Sequence, residues 1–167
     1  MMDTANRNLV LIGMPGCGKT TLARAVSALT GRRVLDSDEL AEKEVGMSVR
    51  AFFIREGETA FRDLESRILR QLGSREGVII ATGGGCILRQ ENYAPLHENG
   101  LIVWLQRDID RLPREGRPLS LGSDLHAMFR QREPLYRAFA DCTVDNNRTV
   151  AEAAAELAAL ITAADQM

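Results

Sequence analysis

The stretch "GMPGCGKT", Gly13 to Thr20, follows directly on the apolar run "NLVLI", Asn8 to Ile12, and leads into a segment of helical period from Lys19 to Leu29. It fits the pattern GxxxxGK[ST] at every fixed position, in the order of strand, loop and helix that the pattern requires. Glycines let the backbone curl so that successive N–H groups face one anion, and the positive end of the following helix adds to the same field. The loop of Gly13, Met14, Pro15, Gly16, Cys17, Gly18, Lys19 and Thr20, with Thr21 behind it, therefore reads as a cradle for the phosphates of ATP. Lys19 is placed to reach the β- and γ-phosphates, and the Thr20 hydroxyl to become a Mg²⁺ ligand. A chance glycine-rich turn capping a helix is the competing reading, and a full match in this context speaks against it. Cys17 lies inside the cradle, where amides could stabilise a thiolate; the plainer reading is a small residue at a variable position.

Outward from this loop, short apolar runs alternate with longer segments of helical period, the pattern of parallel strands joined by crossover helices. Five strands are expected: Asn8 to Ile12, Arg33 to Asp36, Gly77 to Thr82, Leu101 to Leu105 and Asp141 to Asp145. Helices are expected at Lys19 to Leu29, around Glu58 to Leu72, around Leu125 to Arg132, and from Thr149, where "TVAE" forms a capping box and an alanine-rich body follows. The segment "PREGRPLSLGS", Pro113 to Ser123, is dense in Gly, Pro, Arg and Ser and reads as a mobile loop.

The bulk composition is that of a globular chain. With 167 residues, 45% hydrophobic and 26% charged, one domain with a real core is expected and disorder is not. A net charge of -2 gives no reason to expect nucleic acid. Neither a signal-peptide pattern nor an apolar run of bilayer length occurs, so a cytoplasmic protein without membrane contact is expected. Cys17, Cys86 and Cys142 are odd in number and lack CxxC spacing, which indicates free thiols.

Two further motifs carry candidate chemistry. In "RVLDSDEL", Arg33 to Leu40, Asp36 and Asp38 sit at the end of a strand. In an extended chain their Cα atoms lie about 6.6 Å apart on one face. Bare charges at that distance repel by roughly 2.5 kcal/mol at an effective dielectric of about 20. A hard cation would relieve this: Asp36 is suited to hold Mg²⁺ directly or through water, leaving Asp38 to accept a proton from a substrate hydroxyl. Alternatively, Asp36 simply caps the following helix, with Glu39 completing a capping box. "ATGGGC", Ala81 to Cys86, places Gly83, Gly84 and Gly85 after the third strand, where they permit close backbone approach to a ligand or make a plain turn.

Taken together, the motifs resemble one family, shikimate kinase. The resemblance runs from "LVLIGMPGCGKTTLA" through "LDSDEL", "GETAFRDLE", "IATGGG" and "GRPLS" to "RQREPLYR". It implies an α/β P-loop NTPase fold in three layers, a five-stranded parallel sheet flanked by helices, with a mobile lid. It also implies a single kinase domain over 1–167, a substrate-binding segment at about 37–66 and a lid at about 108–124. The activity implied is transfer of the γ-phosphoryl of ATP, with Mg²⁺, to the 3-hydroxyl of shikimate, by a monomer using ATP and shikimate.

Carried over by position, Asp36 becomes the magnesium-side acid and Asp38 the residue on the shikimate hydroxyls. Arg62 and Arg132 resemble the pair that grips the substrate carboxylate, and Gly83, Gly84 and Gly85 the substrate-side glycine loop. Arg117 resembles the lid arginine over the ATP phosphates, so that Lys19, Asp38 and Arg117 form the catalytic set. The blander readings are a helical ion pair of Arg62 with Glu65, which could instead orient the arginine, and a solvated arginine for Arg132. The segment Gln106 to Gly116 is shorter than the family pattern, with Arg111 as a candidate replacement for an arginine near the adenine and phosphates. Competing functions are a gluconate-type small-molecule kinase and a non-catalytic ATP-binding regulator; a guanine switch would carry NKxD, which the chain lacks.

Overall fold

A computed structural model describes residues 6–113 and 124–166. Five strands form one sheet: β1 (Asn8–Ile12), β2 (Val34–Asp36), β3 (Ile79–Ala81), β4 (Gly100–Gln106) and β5 (Cys142–Asp145). Their order is β2-β3-β1-β4-β5 and every pairing is parallel, as the alternating pattern predicts. β1 is central, with Leu9, Val10, Leu11 and Ile12 wholly inaccessible, which explains why it reads as an unbroken apolar run rather than an alternating one.

The helices are α1 (Lys19–Thr30), α2 (Ser37–Val45), α3 (Val49–Glu56), α4 (Glu58–Gly73), the short α5 (Tyr93–His97), α6 (Leu125–Phe139) and α7 (Val150–Asp165). The chain leaves β1 towards one edge through α1, whereas the connections after β2, β3 and β4 all run towards the other edge. Right-handed crossovers then put α1 on one face and α2 to α6 on the opposite face. α7 packs on α1, completing three layers. Because the chain leaving β1 departs to the opposite face from those leaving its neighbours β3 and β4, the crevice of the sheet lies at the carboxyl end of β1.

Two parts of the fold differ from the sequence reading. Neither α3 nor the short α5 was expected, and α2 was anticipated only in the alternative in which Asp36 caps a following helix; α2 and α3 share one reason. Each buries little, Ser37 and Ala41 in one and Val49 in the other, so neither shows a strong apolar stripe; they are set instead by their ends. Asp36 caps α2 and Ser48 caps α3, while Gly46 in a left-handed conformation closes α2. α6 runs seven residues past Arg132, through Pro134, because Tyr136 and Phe139 pack into the core and compensate for the one backbone hydrogen bond a proline removes. At Thr149 the hydroxyl accepts from the Glu152 amide at 3.2 Å as a cap should, and donates to the Glu152 carboxylate at 2.7 Å. Residues 114–123, which include Arg117 and most of the expected lid, lie outside the described residues. Among the described residues no helix is long and apolar enough to cross a membrane.

Candidate active site

At the carboxyl end of β1 a cavity of about 390 Å³ is lined by Pro15, Gly16, Gly18, Lys19, Thr20, Thr21, Asp36, Asp38, Glu65, Thr82, Gly83, Gly84, Gly85 and Arg132, with Val49 and Phe61 as its apolar wall. The fold thus brings to one hollow the loop after β1, the acids after β2, the glycines after β3 and an arginine from α6. Arg62 stands one layer behind. It borders a neighbouring hollow with Phe53, Glu58, Leu88 and Asp124, and Arg132 reaches into both.

The loop is closed on itself by a bond from the Cys17 amide to the Met14 carbonyl at 3.1 Å. Lys19 is buried, and its ammonium donates to the carbonyls of Gly13 at 2.7 Å and Met14 at 3.0 Å, with its third donor on the weak acceptor Cys17 Sγ. Cys17 is 1% exposed and its sulfur lies 3.8 Å from the same ammonium, so the thiol is covered by the loop rather than offered to solvent.

Asp36 serves two purposes at once. One carboxylate oxygen accepts the amides of Asp38 at 2.9 Å and Glu39 at 3.1 Å, capping α2, and the other accepts the Thr20 hydroxyl at 2.8 Å. The capping reading of this residue is therefore borne out, and the same carboxylate also meets the Thr20 hydroxyl. Among the described residues no three His, Cys, Asp or Glu side chains cluster into a metal cage. A Mg²⁺ that travels with nucleotide needs only one or two protein oxygens besides phosphates and waters, and the adjoining oxygens of Thr20 and Asp36 fit that demand.

Asp38 turns towards the glycine turn, where a Cβ on Gly83 would lie 2.9 Å from Asp38 Oδ1 and 3.1 Å from Glu65 Oε2. Two carboxylates thus converge on one glycine. Burial, then the charges of Glu65 and Asp36, push the Asp38 carboxyl up to about 7 against the pull of Lys19. Burial also raises Glu65, although Arg62 opposes it by charge and by hydrogen bonding.

Arg62 and Glu65 form a buried ion pair at 2.9 Å, so the helical pairing is real. It does not exhaust either group. Arg62 Nε, Glu65 Oε2 and Arg132 Nη1 are all buried without a hydrogen-bond partner. Arg62 Nε lies 3.7 Å from the exposed Glu58 carboxylate, whereas Arg132 Nη1 is an N–H group beside the cavity of the kind that an anion can satisfy. Arg132 is 8% exposed, which rules out the solvated reading.

The three glycines are required for space, not for unusual torsion angles. A side chain on Gly84 would meet Pro15, and one on Gly85 the guanidinium of Arg62. The turn is also anchored: the Gly83 amide donates to Ser37 Oγ at 3.1 Å and the Tyr136 hydroxyl donates to the Gly84 carbonyl at 2.6 Å. The Gly83 amide is therefore spent within the protein instead of being presented to a ligand. Ser37 and Tyr136 escaped the sequence reading, although Tyr136 stands one helical turn after Arg132 in "REPLY".

The family model of shikimate kinase matches residues 15–162. The chain belongs to the shikimate kinase family. A shikimate kinase of Chromobacterium violaceum is 36% identical over 156 residues, spanning 88% of this chain and 85% of the relative. One from Parasynechococcus marenigrum is 39% identical over 160 residues, or 90% and 83% of the two chains. Among solved structures, the shikimate kinase of Acinetobacter baumannii in complex with shikimate superposes with a TM-score of 0.88 at 31% identity, covering 96% of this chain and 95% of that one. A gluconokinase of Sinorhizobium meliloti shares the fold alone, with a TM-score of 0.60 at 15% identity. The P-loop NTPase fold is thereby established, and the family's enzymes are ATP-dependent kinases acting on an alcohol group.

Proposed function

We propose that this protein transfers the γ-phosphoryl of MgATP to the 3-hydroxyl of shikimate, giving shikimate 3-phosphate and ADP. The observation that carries the reading is Arg132: buried, with an unpartnered N–H, in the same cavity as Asp38 and the Lys19 loop. A small ring with one carboxylate and several hydroxyls answers this arrangement. The carboxylate takes the guanidinium groups of Arg132 and Arg62, and the hydroxyls lie towards Asp38 and the Gly83 to Gly85 turn.

In this reading the loop amides and Lys19 hold the nucleotide phosphates, and Lys19 stabilises charge on the phosphoryl group as it moves. Thr20 and Asp36 would hold Mg²⁺, which when bound neutralises phosphate charge. Asp38 accepts the proton of the attacking hydroxyl, a role for which a carboxyl poised near 7 is well matched. Glu65 orients Arg62 through their ion pair, and keeps an unpartnered oxygen facing the Gly83 end of the cavity. Arg117, in a lid at about 108–124, closes over the phosphates, while 37–66 supplies the substrate side. The reading is of a single cytoplasmic domain acting as a monomer. Transfer needs no covalent enzyme intermediate in this reading, since the residues assigned to donor and to acceptor, Lys19 and Asp38, line one continuous cavity.

Release of ADP measured side by side with shikimate, quinate and gluconate tests the assignment. Strong stimulation by shikimate is expected. Equal or greater stimulation by gluconate would move the protein to the gluconate-type kinases, and ATP turnover indifferent to all three acids would leave only a nucleotide-binding regulator.

A further inference from the structure

We propose that Asn146 is a positioning residue for the nucleotide-binding loop, holding the Cys17–Gly18 peptide so that the Gly18 N–H faces the phosphates. The inference rests on reading Gly13 to Thr20 as the phosphate cradle. Asn146 follows β5 directly, is 5% exposed, and its side-chain amide donates to the Cys17 carbonyl at 2.6 Å. A carbonyl acceptor fixes which end of the amide faces it, since only the NH₂ group can donate. The residue itself cannot drift: its N–H donates to the Gln106 carbonyl at 2.7 Å, and Arg107 Nη1 donates to its carbonyl at 2.5 Å. One residue thus ties the ends of β4 and β5, through its backbone, to the loop after β1, through its side chain.

In a trans peptide the carbonyl and the next N–H point in opposite directions. Pinning the Cys17 carbonyl on the Asn146 side therefore turns the Gly18 N–H away from it, towards the cavity that Gly18 lines with Lys19 and Thr20. The lock is needed because Gly18 has φ of 101°, a region glycine enters freely, so torsional preference alone does not hold this peptide. Once flipped, the same peptide would present a carbonyl oxygen to a phosphate oxygen and withdraw a donor. The contact also closes the position to other residues, as a Cβ on Gly18 would lie 2.7 Å from Asn146 Nδ2.

The test compares adenosine with ADP, by isothermal titration of the full chain. Asn146→Leu keeps the backbone bonds and removes the donor. It is expected to weaken ADP about tenfold or more, as loss of a hydrogen bond to an ionised group does, and to change adenosine less than twofold. Asn146→Thr, which keeps a hydroxyl donor, should lose less than Asn146→Leu. Equal loss for adenosine and ADP, no loss for either, or equal loss in the Thr and Leu variants would overturn the inference. Should Asn146→Leu give no cooperative melt, Asn146→Val is read by the same criteria. A wild-type chain that binds ADP no more tightly than adenosine would instead overturn the cradle reading itself.

Discussion

The hydroxyl of Thr20 donates to Asp36 at 2.8 Å, joining the first turn of α1 to the carboxylate that caps α2. Asp36→Asn and Asp36→Ala separate the two roles of that acid. Asparagine caps a helix about as well as aspartate, so Asp36→Asn should melt within a degree or two of wild type yet need a higher Mg²⁺ concentration for half-maximal activity. Asp36→Ala should lose the cap as well, at about 1 kcal/mol of stability. Thermal melts and Mg²⁺ titrations of both variants read this; an unchanged Mg²⁺ requirement in both would leave Asp36 as a cap only.

Lys19→Ala should lower kcat at least about a hundredfold, the scale for losing one preorganised donor to a charge that develops in the transition state. Because Lys19 also holds the Gly13 and Met14 carbonyls, ADP affinity should fall with it. Near-normal turnover would refute the cradle.

The two arginines should differ in stability while agreeing in function. Arg132→Ala and Arg62→Ala should each weaken shikimate binding by about 1.5 to 3 kcal/mol, the range for hydrogen bonds to charged groups, with ADP affinity little changed. Arg62→Ala alone strands the buried Glu65 carboxylate, so it should cost about 3 kcal/mol of stability or more, whereas Arg132, with no ion-pair partner among the described salt bridges, should cost less. Calorimetry of both variants with each ligand checks the pattern, and equal weakening of ADP and shikimate would contradict it.

Asp38→Asn should reduce kcat far more than shikimate affinity. It should also change stability with a defined sign. The folded carboxyl is raised to about 7, and the unfolded one titrates near about 4. Between these values the folded chain binds more protons than the unfolded chain, so wild-type stability falls as pH rises through this window and levels off above it. The asparagine variant lacks this loss. The ligand-free Asp38→Asn protein should therefore gain in melting temperature over wild type from pH 4 to 7.5, and a constant difference would contradict the raised carboxyl.

Much of this site was legible because its chemistry is local in sequence. The Gly13 to Thr20 loop, the Asp36 and Asp38 pair and the Gly83 to Gly85 run each follow a strand, and parallel strands deliver their carboxyl ends to one edge without further information. Arg132 was harder, since in "FRQRE" nothing local distinguishes a buried arginine from a solvated one; only the packing of α6 decides. Ser37, Tyr136 and Asn146 act through partners 46, 52 and 129 residues away, and no periodicity reports contacts of that range. α3 was missed, and α2 read only through its Asp36 cap, for a different reason, their short length and sparse apolar faces leaving only their caps as signals.

The central claim is that phosphoryl transfer to a carboxylate-bearing alcohol occurs in the cavity shared by Lys19, Asp38 and Arg132. Phosphorus NMR of a reaction containing the protein, MgATP and shikimate tests it most directly. A new phosphomonoester coupled to the proton on carbon 3 of shikimate, formed in equal amount with ADP, is the predicted result. Inorganic phosphate released at the same rate with and without shikimate, and no new ester, would contradict it.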